Sequence, residues 1–303
     1  MKTALVTGGT IFVSRAIAQS MINHGYQTYV LNRNTKQQLK DVHLIQADRY
    51  HLDQQLSGIH FDVVVDIAYN GEEVRQLLDH LASFDDYFLI SSSAVYPDTE
   101  SQPFSEETSL GNNTYWGKYG TDTIEAEQVL LSRVPHAYIL RPPYLYGPGN
   151  NIYREAFVFE CALQGRPFYL PGNGDMPLQF FHIDDLCTLT HTLLNQHPQQ
   201  HIFNTGNENT ITIRKWVQLC YQTAGYTPQF IHVPSTIPQR SYFPFYNYAY
   251  RLDTEKMQKL LPHTIPMEKG LQESFIWYTQ HKDEVRTKPF LDFIDQNLPG
   301  RDL

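Results

Sequence analysis

Thr7-Gly8-Gly9-Thr10-Ile11-Phe12-Val13-Ser14 is the first stretch whose residue types suggest chemistry. It follows the apolar run Ala4-Leu5-Val6. It leads into Ser14–Asn23, where Ala16, Ile17, Met21 and Ile22 recur at helical spacing. A glycine turn between strand and helix can seat a dinucleotide pyrophosphate, because backbone N–H groups and the positive end of the helix dipole face the anion. The usual fingerprint has three glycines. Only Gly8-Gly9 survive here, and Ile11 and Ser14 stand where the second and third would be. An ordinary strand–helix turn is the competing reading. Thr7, Gly8, Gly9, Thr10, Ile11 and Phe12 are the candidate cofactor residues of this turn. The next strand, Tyr29-Val30-Leu31, ends at Asn32-Arg33. Dinucleotide folds usually carry an acid there for the adenosine ribose, and no carboxylate is near. A guanidinium can pair bidentately with a 2′-phosphate, so NADP fits better than NAD. The plainer reading of Arg33 is a solvated loop charge.

Other reactive side chains carry weaker signals. Cys161, Cys187 and Cys220 lie far apart with no CxxC spacing, which argues against a zinc knuckle or disulfide framework and for buried thiols. His197 and His201 are four apart, but Pro198 interrupts any helix between them. Asp85-Asp86 reads as a solvated turn. No metal site is expected.

The elements that must position these residues follow from the pattern. Short β-branched runs alternate with amphipathic segments. Strands are expected at Ala4–Val6, Tyr29–Leu31, Val42–Ile45, Asp62–Ile67, Tyr87–Ile90 and Ala137–Leu140. Helices are expected from about Glu72 to Leu81, from Tyr119 to Leu131, and near Leu271 to His281. Continuous apolar strands imply a sheet covered on both faces. Alternation then predicts an α/β fold with a doubly wound parallel sheet. After Pro142-Pro143 the texture changes, with turns such as Tyr146-Gly147-Pro148-Gly149-Asn150. Residues 1–145 are expected to form the dinucleotide-binding domain, with a segment at about 175–205 returning to it. Residues 146–303 are expected to form mostly a smaller substrate-binding lobe.

Composition limits the partners. The 303 residues hold 23 Lys and Arg against 32 Asp and Glu, a net charge of −9. General nucleic-acid binding needs excess positive charge to displace phosphate counterions, so nucleic acid is not an expected partner. No apolar run approaches the length of a membrane span, and the short apolar start runs straight into a glycine turn. A cytoplasmic protein with no membrane partner is the expectation.

Taken together, the motifs resemble the extended short-chain dehydrogenase/reductase family, the NAD-dependent epimerase/dehydratases, over nearly the whole length. Thr7-Gly8-Gly9 resembles its opening turn, and Ala47-Asp48-Arg49 its loop whose Asp meets the adenine. Asp66-Ile67-Ala68-Tyr69 is similar to its His-x-Ala-Ala strand end, with Asp66 in the His place. Ile90-Ser91-Ser92-Ser93-Ala94-Val95-Tyr96 resembles Ser-Ser-x-x-Val-Tyr-Gly. Arg141–Gly149 is similar to Arg-Pro…Tyr-Gly-Pro-Gly, Phe180–Leu186 to Phe-x-x-Val-Asp-Asp-Leu, and Arg251–Lys256 to a late Asp-x-Ser-Lys helix start. The resemblance implies a Rossmann sheet, and makes His182 with Asp184-Asp185 a loop-to-helix cap instead of a metal cluster. It also implies dimers through a two-helix pairing, so a homodimer through the Glu72 and Tyr119 helices is an expectation.

The family's chemistry uses Ser/Thr, Tyr and Lys. By resemblance Ser92 and Tyr119 are the serine and tyrosine, and Glu127-Gln128 fixes the register. In that register the lysine is Thr123. A free tyrosine titrates near ~10, and a lysine one turn on would help lower it for work as a base. Thr123 brings no charge, so Tyr119 suits the role of acid, which favours reduction. Lys118 would point about 140° away from the Thr123 face on a helix, unless it lies in the preceding loop and bends inward. The resemblance adds Asp48, Ala68 and Pro142 to the cofactor residues. It places Ser93, Tyr69, Tyr144 and Arg240 about the substrate. Family members that bind nucleotide sugars usually carry an Arg where this chain has Leu178, which counts against a diphosphate-bearing substrate. The aromatic run Tyr242–Tyr250 either walls an apolar pocket or packs onto the second lobe. The leading expectation is an NAD(P)-dependent epimerase/dehydratase-like oxidoreductase that transfers hydride between nicotinamide and a carbonyl or alcohol carbon of a small or sugar-like substrate. The alternatives are a catalytically weakened NAD(P)-binding sensor and, further off, an RNA-binding atypical member resembling the chloroplast stem-loop RNA-binding proteins.

Overall fold

A computed structural model describes residues 1–298 of the chain. Its first half reads β1 (Thr3–Thr7), α1 (Phe12–Asn23), β2 (Gln27–Asn32), β3 (His43–Gln46), β4 (His60–Asp66), α2 (Gly71–His80), β5 (Ser83–Ile90), α3 (Lys118–Arg133) and β6 (Tyr138–Arg141). Next come β7 (Tyr144–Tyr146), α4 (Glu155–Leu163), β8 (Phe168–Pro171), β9 (Pro177–Leu178), β10 (Phe180–His182), α5 (Ile183–Gln196) and β11 (Ile202–Asn204). Seven strands form one parallel sheet in the order β11-β6-β5-β4-β1-β2-β3. The chain runs outward from β1 to β3 and then returns to β4 beside β1. That reversal opens a crevice at the carboxyl ends of the strands, the usual ligand position of such sheets.

The strands sort their side chains with period two. Ala4, Val6, Val63, Val65, Phe88 and Ile90 pack beneath α1 and α5. Leu5, Val64, Leu89 and Ile139 pack on the other face against Val74 and Leu77 of α2 and Ala126 and Leu130 of α3. Burial on both faces explains why the strand sequences are continuously apolar.

The remaining elements form the second core. β12 (Ile211–Thr212), α6 (Ile213–Thr223), β13 (Phe230–Val233), α7 (Glu255–Gln258), α8 (Met267–Gln280) and α9 (Phe290–Asn297) complete the described chain. α4, α6 and α8 pack around Phe157, Phe159, Phe168, Trp216 and Leu271. The aromatic run joins this core: Tyr242, Phe243 and Phe245 are almost fully buried. Of that run, Tyr250 is the residue that reaches the cleft described below. Leu178 is buried in β9 and pairs with Ile211, so the position where an arginine was sought belongs to the lobe's interior.

Two boundaries differ from expectation. α3 begins at Lys118, which makes that lysine the first helical residue. α8 begins at Met267 instead of near Leu271. Gly270 reads as a helix breaker, but packing demands it: a Cβ there would lie 2.5 Å from the Tyr146 hydroxyl and 2.8 Å from the His182 ring.

Candidate active site

A cleft of about 790 Å³ follows the crevice, from the end of β2, across the turn before α1, to the second lobe. The turn shapes its floor. Gly8 and Gly9 both have positive φ, +91° and +82°, which favours glycine. A Cβ on Gly8 would meet Ser14 Oγ at 2.8 Å, and one on Gly9 would run into Val30. Gly9 therefore serves close packing and does not line the cleft, whereas Thr7, Gly8, Thr10, Ile11 and Phe12 do. Ser14, in the third glycine position, turns its hydroxyl onto the Ile11 carbonyl at 3.0 Å. α1 has no side-chain cap and no acid in its first turn. Its leading N–H groups face the cleft unclaimed by side chains, which fits a bound pyrophosphate.

Asn32 and Arg33 both line the β2 end of the cleft. The Asn32 amide is committed locally: Nδ2 donates to the Gly8 carbonyl at 2.6 Å, and Oδ1 accepts from the Asn34 N–H at 2.8 Å. Asn32 thus braces the glycine turn. Arg33 is exposed on the cleft wall and has no carboxylate partner among the described residues. Asp48 also lines this end, with Oδ1 accepting the Tyr50 N–H. Asp66, fully buried, gathers three donors: Arg49 Nη2 reaches both its oxygens at 2.6 and 2.7 Å, and the Thr7 and Tyr87 hydroxyls bond it at 2.8 and 2.6 Å. Substituting Asp66 in the family's His place therefore exchanges a strand-end side chain for a buried ion pair under the cleft floor. Ala68, Pro142 and the 60 % exposed Tyr69 complete this side.

Ser92 and Tyr119 meet at the far side of the glycine turn, and Thr123 lies beside them in the wall. Ser92 caps a short 3-10 turn, accepting from the Ala94 N–H at 3.2 Å. Gly120 lets α3 approach that turn, since a Cβ there would stand 2.5 Å from the Ala94 carbonyl oxygen. Burial chiefly raises the Tyr119 hydroxyl above the ordinary tyrosine value, and the Ser92 hydroxyl and the Arg154 charge act in the opposite direction. The residue as a whole is 45 % exposed to the cleft. The protonated phenol is thus the resting form.

Thr123 is buried, and its hydroxyl donates to the Tyr119 carbonyl at 2.8 Å. It presents neither a charge nor a free donor to the cleft. Lys118 does not take over: its Nζ bonds the Asp122 carboxylate at 2.5 and 2.6 Å and its side chain is 84 % exposed. Ser93 donates to the Tyr250 hydroxyl at 3.1 Å, and Tyr144 lines the cleft with its hydroxyl buried and unpartnered. Arg240 is not brought into the cleft. Its guanidinium bonds the Phe243 and Pro244 carbonyls and lies 4.8 Å over the Tyr246 ring, behind the cleft wall.

Sequence reasoning missed Arg154, Arg286 and Asn151, which line the lobe end of the cleft. An arginine soon after Tyr146-Gly147-Pro148-Gly149, in a chain poor in basic residues, was the available signal for Arg154. Arg286 arrives from far along the chain and gives none. His182, Asp184 and Glu273 do cluster, but His182 Nδ1 accepts the Asp184 N–H at 3.2 Å, the helix-cap arrangement.

The match to the NAD dependent epimerase/dehydratase family covers residues 4–206. The chloroplast stem-loop binding protein of 41 kDa b from Arabidopsis thaliana is 28 % identical over 302 residues, spanning 90 % of this chain and 78 % of that protein. GDP-L-fucose synthase from Escherichia coli (strain K12) is 22 % identical over 261 residues, 73 % of this chain and 76 % of that one. Among solved structures, dTDP-glucose 4,6-dehydratase from Bacillus anthracis in complex with NAD superposes with a TM-score of 0.75 at 19 % identity, over 94 % of this chain and 99 % of that one. UDP-glucuronic acid 4-epimerase from Bacillus cereus, in complex with UDP-glucuronic acid and NAD, gives 0.72 at 20 % identity over 92 % and 99 %. Among the described residues no helix is long and apolar enough to cross a membrane. With the matched region running from β1 through β11, this chain belongs to the NAD-dependent epimerase/dehydratase family, a family of nicotinamide-dependent enzymes on the extended short-chain dehydrogenase/reductase plan.

Proposed function

We propose that the chain is an oxidoreductase that works with NADP, in the direction of carbonyl reduction, on a small or sugar-like substrate. The observation that carries this reading is the Ser92–Tyr119 pair, set in the same cleft as the uncapped N-terminus of α1. A bound nicotinamide supplies the hydride chemistry. The chain's own residues do the rest. Tyr119 holds the proton that a reduced carbonyl oxygen needs, and its raised pKa keeps that proton in place at neutral pH. Ser92 offers a second hydroxyl to the same oxygen. Trp116, Tyr144 and Tyr250 give the cleft aromatic walls beside it.

The choice of NADP rests on Arg33. It is a free guanidinium on the cleft wall at the β2 end, where NAD-binding folds usually present an acid. The curated relatives named above act on GDP-L-fucose chemistry or bind stem-loops, as their names say. The solved neighbours carry NAD and, in one case, a nucleotide sugar. These likenesses support a sugar-like substrate. A fluorescence titration with NADPH and NADH tests the first step: NADPH should bind more tightly, and Arg33→Ala should equalise the two. Absence of binding by either coenzyme would sink the proposal. Tyr119→Phe should then abolish reduction while leaving coenzyme binding unchanged.

Thr123 and the stem-loop-binding relative together favour a second reading, a binding protein without turnover. Its mark would be coenzyme binding with no carbonyl reduced. A gel shift on structured RNA that vanishes at moderate salt would point the same way.

A further inference from the structure

The lobe end of the cleft gathers positive charge that no ion pair within the described residues neutralises, although the buried Glu155 carboxylate, next in sequence to Arg154, feels its charge. Arg154 and Arg286 line the cleft there, and neither has a carboxylate within ion-pair distance among the described residues. Of the acidic residues of the cleft, Asp48 lies at the β2 and β3 end, and Glu73 of α2 sits past the end of β4, taken up by Arg49 and the Tyr69 N–H. Arg240 stands behind the same wall, and its pKa is lowered, first by burial and also by the like charge of Arg154. Gathering cations in a protein of net charge −9 runs against the whole-chain balance, and like charges brought together inside a fold are destabilising unless a counter-charge arrives.

The Arg154 side chain is held in place, whereas Arg286 is fixed at its backbone and extends an exposed side chain along the cleft. The Arg154 guanidinium lies 4.9 Å over the Tyr144 ring, and its Nη1 donates to the Leu145 carbonyl at 3.3 Å. Arg286 pairs in parallel with Ile152, its N–H bonded to the Asn151 carbonyl at 2.9 Å. That pairing fixes the two arginine-bearing segments side by side. Under the Arg154 guanidinium lies Tyr144, 5 % exposed, whose hydroxyl has no hydrogen-bond partner, and the Arg154 charge reaches the Tyr119 hydroxyl. Two guanidinium forks and an unsatisfied phenol offer donors and no carboxylate, the donor set of an oxyanion site.

We propose that Arg154 and Arg286, with the Tyr144 hydroxyl, form an anion subsite that takes a phosphate or carboxylate carried by the substrate close to its reacting carbonyl carbon. This rests on the oxidoreductase reading above and names its substrate class. The subsite lies in the same cleft as Tyr119, so the anion anchors the substrate next to the proton donor and orients it for transfer.

Calorimetric titration tests it, with inorganic phosphate and malonate as probes on NADPH-saturated protein. Each should show saturable binding, and Arg286→Ala should weaken at least one of them several-fold, with Arg154→Gln/Arg286→Ala weakening it tenfold or more. Arg154 stacks on Tyr144, so its replacement could disturb the fold; Arg286 is exposed, and its single variant keeps the test independent of folding. Melting temperature and NADPH affinity serve as controls and should stay near wild type. A second arm follows NADPH oxidation with uncharged hydroxyacetone, dihydroxyacetone phosphate and acetoacetate. Arg286→Ala should lower kcat/KM for a charged ketone and not for the neutral one, and the ketone affected says whether the anion is phosphate or carboxylate. Anion binding that is absent, or untouched by both arginine variants, overturns the subsite. Loss of NADPH binding overturns the oxidoreductase reading instead, and the anion titration on coenzyme-free protein, read through Arg286→Ala, still decides the subsite.

Discussion

At the scale of single residues the site turns on Thr123. Its hydroxyl is tied to the Tyr119 carbonyl, so α3 brings no cation to the Tyr119 hydroxyl, and the Arg154 charge from the second lobe acts on it instead. Thr123→Lys restores an ammonium one turn along α3 from Tyr119. It should raise the oxidation-direction rate at neutral pH by about tenfold or more, since each pKa unit gained by the phenolate is worth ~1.4 kcal/mol. Thr123→Met, of similar length and no charge, should give no such gain; equal gains in both variants would rule out the electrostatic account. The wild-type protein should show a matching pH signature in reduction. The phenol donates while protonated, and burial raises its pKa above the ordinary value. The reduction rate should therefore stay flat from about pH 6 to about pH 9 and fall only as the pH passes ~10. A falling limb near neutrality in kcat/KM would show a strongly acidified tyrosine. The family resemblance, with its register set by Glu127-Gln128 and Tyr96, singles out Ser92, Tyr119 and Thr123, and the three line one cleft. Arg240 was misplaced because spacing says nothing about which carbonyls a guanidinium will bond. Here Phe243 and Pro244 claim it.

At the scale of elements, a buried ion network fastens α3 to the sheet. Glu127 and Arg141 are 1 % and 2 % exposed. Arg141 Nε and Nη2 reach the Glu127 carboxylate at 3.0 and 2.6 Å, Arg141 Nη1 bonds the Tyr96 hydroxyl at 2.8 Å, and Ser91 donates to the same carboxylate. The network joins α3, which carries Tyr119, to the carboxyl ends of β5 and β6, from which the chain leads into Ser92 and Pro142. Glu127→Gln keeps the shape and leaves the Arg141 charge unpaired in the interior. It should cost about 3–5 kcal/mol, read as a lower urea midpoint, together with lost activity as α3 shifts. A stability within ~0.5 kcal/mol of wild type would mean that water reaches Arg141. Tyr96, Glu127 and Arg141, all parts of the family-like motifs, hold the scaffold and do not line the cleft. The sheet itself was legible because parallel strands buried on both faces must be apolar throughout, as Val63-Val64-Val65 is. α8 was not fully legible. Gly270 speaks against a helix locally, and only contact with Tyr146 and His182, distant in sequence, makes glycine the residue that fits.

At the scale of the whole molecule, the cleft is walled by both cores. The sheet contributes the glycine turn, Asn32, Arg33 and Asp48, while Arg154, Tyr250 and Arg286 come from segments beyond β6. The sequence separates these groups by more than a hundred residues, which is why the dinucleotide end was readable from local motifs and the lobe end was not. A ligand that spans the cleft ties the two parts together, and its binding free energy adds to the stability of the folded state. At a coenzyme concentration one hundred times its Kd, the gain is ~2.7 kcal/mol. For a chain of this size that corresponds to a melting shift on the order of 5 °C. NADPH should produce that shift, and NADH a smaller one if Arg33 selects the 2′-phosphate. Arg33→Ala should bring the two shifts together without changing the melting temperature of the coenzyme-free protein, because its guanidinium is exposed and makes no ion pair among the described residues. Equal shifts with the two coenzymes in the wild-type protein would assign Arg33 to the solvated surface and overturn the preference for NADPH.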